Sequence, residues 1–124
     1  MMEFKNDIPI YRQIVDYAYS RILQGEWRAG ERVPSVRELS AQMAVNTHTV
    51  LKAYEYLEAH GIIEARRGMG FYATADAAER VEADRREHFF SETLADLFSR
   101  MDLLGIGIDE IVEQYRRRED SSSS

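Results

Sequence analysis

The stretch from Val33 to Tyr54, VPSVRELSAQMAVNTHTVLKAY, limits the possible folds more than any other part of the chain. It holds two short helical patterns with a tight break between them. Ser35 and Glu38 have S-x-x-E spacing, in which each side chain can bond the other's backbone N–H and open a helix. Val36, Leu39, Ser40 and Met43 mark the buried side of that helix, which ends near Ala44. Asn46 is a good N-cap for the next helix. Val50, Ala53, Tyr54 and Leu57 give that helix its inward stripe, and Gly61 ends it after His60. In the turn MAVN, Ala44 keeps the break tight and Val45 tucks underneath.

The flanks complete a small domain. Ile10, Ile14, Ala18 and Ile22 recur every four residues with Val15 and Leu23 beside them, an amphipathic helix of about four turns. Pro9 suits its start and Gly25 its end. RAGERVP reads as a loop. After Gly61, Ile62 and Ile63 open one short strand and Phe71 to Thr74 form a second. Arg66 to Gly70 turn between them as a β-hairpin. Three helices and a hairpin in this order are the layout of a winged helix-turn-helix domain, placed at residues 1–74.

Beyond Ala75 the composition turns to Ala, Glu, Asp and Arg. Phe90, Leu94, Leu97, Met101 and Leu104 form an apolar stripe on a long helix, whose upstream part ERVEADRREH is charged nearly all round and reads as solvated. Gly105 stops it. Ile108, Ile111, Val112 and Tyr115 start a second stripe, closed by RRRED with three arginines in the last turn. The expected architecture is mainly α with a small β-hairpin. The winged domain is followed by a two-helix dimerisation module at 75–120 and a disordered tail at 121–124. The two stripes either pack on each other or meet a second chain; an isolated two-helix hairpin buries little surface, which favours the dimer.

Charge decides where a partner could bind. The net charge of −6 argues against a simple nucleic-acid binder. Yet residues 1–74 balance nine Lys/Arg against nine Asp/Glu, while residues 75–124 set seven against thirteen. The N-terminal part can therefore still present a basic edge. The chain contains no cysteine, which removes disulfides and thiolate chemistry. No apolar run is long enough to span a membrane and the N-terminus lacks a signal-peptide pattern, so a cytoplasmic protein is expected. The three histidines lie on different elements without metal or catalytic spacing, so neither an enzyme nor a metal or cofactor site is expected.

The second helix of a helix-turn-helix enters the major groove N-terminus first. Asn46 can pair with adenine, Thr47 and Thr49 can use hydroxyl or methyl groups, and His48 can donate. Equally, Asn46 can be only a cap and the other three a solvated first turn. Arg37 opposes the dipole of its own helix, which suits a reach to DNA or a pairing with Glu38 or Glu58. Lys52 suits a phosphate or plain solvent. In ARRGMGF, two arginines beside two glycines can press a minor groove or form a charged loop.

The run from Pro9 to Thr74 resembles the DNA-binding domain of the GntR family of bacterial transcription regulators. The resemblance is carried by G-x-x-x-x-G-x-x-V-P-S-x-R-E-L from Gly25 to Leu39, V-N-x-x-T-V from Val45, and L-E-x-x-G-I-I-E-x-R-x-G-x-G from Leu57 to Gly70. The short C-terminal part, FFSETLADLFSRMDLLGIGIDEIVEQY, resembles the YtrA-like subfamily, whose two C-terminal helices serve dimer formation. The resemblance implies DNA contacts at Ser35, Arg37, Asn46, Thr47, His48, Thr49, Lys52, Arg66, Arg67, Gly68 and Gly70. It also implies a repressor that binds a palindromic operator in double-stranded DNA as a homodimer, with control of an ABC-transporter operon. A departure is that many members carry Arg where Thr47 and Leu51 stand here. The alternative function is a winged-helix protein-interaction or dimerisation module without specific DNA binding. No effector can be named.

Overall fold

The computed structural model describes Phe4 and residues 7–122. Six α-helices and one hairpin follow each other as α1 (Ile10–Leu23), α2 (Val36–Met43), α3 (Thr47–Ala59), β1 (Ile63–Arg66), β2 (Gly70–Ala73), α4 (Ala77–His88), α5 (Leu94–Leu104) and α6 (Ile108–Ser122). The chain divides into two compact units, residues 1–84 and 85–124.

In the first unit, Ile14, Val15, Ala18, Tyr19 and Ile22 of α1 pack with Leu39 and Met43 of α2 and with Val50, Ala53, Tyr54 and Leu57 of α3. The apolar stripe of α1 is buried only in its middle, since Ile10 and Leu23 at its ends are exposed. The wing pairs antiparallel, with Ile63 opposite Ala73 and Arg66 opposite Gly70. RAGERVP is more than a loop. Gly30 N–H donates to the Ala73 carbonyl at 2.9 Å, Ala73 N–H to Glu31 at 3.0 Å and Val33 N–H to Phe71 at 2.9 Å. The segment thus adds a partial third strand to the hairpin, with Arg32 opposite Tyr72. A two-stranded hairpin alone is marginal in water, and this extra edge helps hold it.

ERVEADRREH is exposed at seven of its ten residues, but Val81 is buried and Asp84 half-buried, so one side of it faces inward. Ala77 and Val81 are fully buried in the first unit's core. Asp84 accepts hydrogen bonds from Tyr19 Oη and, at 2.8 Å, from Tyr56 Oη. Only two apolar residues, four apart, face inward among charged neighbours, so periodicity over this stretch is weak. The compact N-terminal unit consequently runs to Asp84, past the boundary expected at Thr74.

In the second unit, the long helix contains a π-turn at Phe89–Thr93, where Leu94 N–H donates to the Phe89 carbonyl. Such a turn inserts one residue into the helical phase. Gly105 takes the left-handed conformation after α5. α6 continues to Ser122, so Arg116–Arg118 lie inside it rather than in its last turn. The first half of the expected disordered tail is helical, and Ser123 and Ser124 lie outside the described residues.

Candidate nucleic-acid interface

Local chemistry sets each part of the site. Ser35 Oγ accepts from Glu38 N–H at 3.0 Å, and Glu38 Oε1 accepts from Ser35 N–H at 3.2 Å. That reciprocal box starts α2. These bonds, chiefly the one from the Ser35 backbone, hold the Glu38 carboxyl below its usual range. Arg32 pairs with Glu38 at 3.1 Å, leaving Arg37 exposed and without an ion pair among the described residues. α2 ends at Ala44 in the left-handed conformation. Ser40 Oγ donates to the Val45 carbonyl across the turn.

Asn46 Oδ1 accepts from His48 N–H at 2.8 Å and so caps α3. One polar residue therefore satisfies the helix start. Thr47, His48 and the half-buried Thr49 are left without a side-chain bond among the described residues. The Thr47 N–H and the positive end of the helix lie beside them. Lys52, one turn on, stands over the Tyr11 ring at 4.2 Å, a cation–π contact that restrains it while it stays exposed.

The wing tip turns on Gly68 (φ 73°) and Gly70 (φ 91°), values that suit residues without a Cβ. Arg66 stacks over Tyr72 at 4.0 Å and pairs with Glu64 at 3.2 Å; Arg67 has no ion pair among the described residues. Between the glycines Met69 is largely exposed.

A ladder of edge-to-face rings ties wing to helix. Tyr17 meets Trp27 at 6.4 Å, Trp27 meets Tyr54 at 6.4 Å, and Tyr54 meets Phe71 at 5.2 Å. Tyr54 Oη donates to the Pro34 carbonyl at 2.5 Å. Burial, with the Glu38 charge adding to it, pushes the Tyr54 hydroxyl far above its usual range, so it stays a donor. α3 and β2, which carry the polar rim and one side of the wing, are thus locked through one aromatic core.

Two apolar side chains on these elements lie outside the expected contact set: Leu51 on α3 and Met69 at the wing tip, both exposed. Their signal in the sequence is negative: Leu51 breaks the inward stripe of α3 and Met69 sits between two turn glycines. In the second unit, the apolar residues expected to pair remain open. Phe90, Leu97, Leu104, Ile108, Val112 and Tyr115 are exposed, Leu94 and Ile111 are half-buried, and Met101 is buried.

A tight two-helix turn followed by a hairpin packed on its second helix defines a winged helix-turn-helix protein. The family model for bacterial regulatory proteins of the gntR family matches residues 10–73. Two Bacillus subtilis proteins are similar over nearly the whole chain. The uncharacterized HTH-type transcriptional regulator YhcF is 35% identical, with 90% of each chain covered. The HTH-type transcriptional repressor YtrA is 33% identical over 88% of this chain and 83% of its own. Among solved structures, a GntR family transcriptional regulator from Listeria monocytogenes has a TM-score of 0.69 at 35% identity, covering 92% of this chain and 98% of that one. The DNA-binding domain of AraR in complex with operator ORR3 matches at a TM-score of 0.53 and 30% identity, over 60% of this chain and 87% of that one. The chain belongs to the GntR family and is a YtrA-like, DNA-binding transcriptional regulator rather than an enzyme. Among the described residues no helix is long and apolar enough to cross a membrane.

Proposed function

We propose that this protein is a cytoplasmic repressor that binds a palindromic operator as a homodimer and controls an ABC-transporter operon. The observation that carries this reading is the start of α3, where Asn46 alone caps the helix and Thr47, His48 and Thr49 are left for a ligand. Asn46 keeps its amide NH₂ for adenine. Thr47, His48 and Thr49 face base edges, while Ser35 and Lys52 take phosphates and Arg37 reaches a phosphate or a guanine edge. Arg66, Arg67, Gly68 and Gly70 of the wing approach the minor groove. A relative's domain held on its operator supports this docking, and the repressor YtrA supports the direction of control.

Homodimerisation follows from unfinished burial. Six stripe residues of the second unit remain exposed in the single chain, and a second copy supplies the missing partner. Two-fold pairing then presents two α3 helices to half-sites about one helical turn (roughly 34 Å) apart or a multiple of it. Half of the net charge of −6 falls in the pairing unit, where six Lys/Arg stand against nine Asp/Glu from residue 85 on. Selection of bound sequences from a random duplex pool, with light scattering on the free protein, tests the proposal. A two-fold symmetric consensus and a dimer mass are expected. A monomer that enriches no sequence would refute it.

A further inference from the structure

Leu51 stands 41% exposed on α3 in the second helical turn. The buried side of α3 is Val50, Ala53, Tyr54 and Leu57. Thr47, His48, Leu51, Lys52 and Glu55 are all exposed and share the opposite side. Single exposed leucines are ordinary on protein surfaces, but this one lies four residues after Thr47, on the side that carries the polar rim. Glu55 follows four residues later on the same row and repels phosphates. The reading zone of α3 therefore closes at about Leu51.

Leucine has neither donor nor acceptor, so it cannot pair with a base edge that offers only polar groups. In the major groove the one methyl group at a base edge is the C5 methyl of thymine. Thr47, on the same row, can add its own methyl to that contact. We propose that Leu51 reads thymine through its methyl group, making this regulator's half-site thymine-specific where α3 ends its contact. The inference rests on the DNA-binding function proposed above and names the base that the helix selects.

Uracil-for-thymine replacement tests it, because it removes the methyl and leaves the pairing edge intact. Sites enriched from the random pool are rebuilt with each thymine in turn replaced by deoxyuridine, and affinities are measured for the intact protein and for Leu51→Ala. One thymine per half-site should cost the intact protein about fourfold, the worth of roughly one buried methyl group. Leu51→Ala, a good helix former at an exposed position, should lose most of that discrimination between methylated and unmethylated sites. Leu51→Gln should move the enriched base at that position to adenine. If no single uracil weakens binding, or if the loss is the same in Leu51→Ala, the inference is overturned while DNA binding stands. If no duplex is enriched, the DNA reading fails and the inference with it.

Discussion

Ala44 is the one non-glycine residue at positive φ among the described residues, at 56°. A Cβ in the left-handed region costs about 1–2 kcal/mol, and the turn tolerates it to bring α3 close under α2. Ala44→Gly should relieve that strain, less the entropy glycine adds to the unfolded chain. A net gain of about 0.5–1 kcal/mol is expected in chemical denaturation. Glu38 argues a pH effect at the same scale. Its carboxyl is held below the ordinary value by Ser35, so its stabilising bonds are present above the unfolded-state pKa and are lost as pH falls through the folded one. Stability of Glu38→Gln should lack that acid-side component in melts followed across the carboxylate range. Lys52 reaches solvent from above Tyr11. Lys52→Ala should weaken binding to all duplexes alike and make the log–log salt slope shallower by about one unit, read by titration at several salt concentrations. The capping box and the Asn46 cap were legible in the sequence because both are local: they depend on residues two or three apart. The reach of Lys52 over Tyr11 was not, since it joins residues from two helices.

Among the elements, the wing and α4 show what linear patterns miss. RAGERVP carries turn residues, yet its backbone bonds β2, and no side-chain periodicity announces a strand pairing through so short an edge. α4 is read from its charges as solvated, although Val81 is buried and Asp84 gathers Tyr19, Tyr56 and, at 3.6 Å, His60. The His60 ring also stacks on Tyr56, 4.0 Å between centroids. Burial, reinforced by the bond to Asp84, pushes the Tyr19 hydroxyl far above its usual range, so it remains a donor. Asp84→Ala would remove the carboxylate that accepts from the buried Tyr19 and the half-buried Tyr56. A loss of about 2–3 kcal/mol in unfolding free energy is expected, while Asp84→Asn, which keeps an acceptor oxygen, should lose less.

At the scale of the whole molecule, the apolar residues of the second unit are the test of assembly. Leu97→Asp should place a charge in the proposed pairing surface and yield a monomer in light scattering. Operator affinity should fall sharply with it, and the first unit, with its separate core, should keep its helical melt. The heptad-like spacing from Phe90 to Leu104 was visible in the order of apolar residues, but the π-turn that resets its phase is a backbone event with no residue signature. The sequence by itself determined the order of elements, the helix-turn-helix break and its caps, because these rest on chemistry within a few residues. Only the tertiary structure decided that α4 closes the first core, that one aromatic ladder locks the wing to α3, and that Leu51 faces outward. Each of these depends on side chains far apart in the chain competing for the same buried volume.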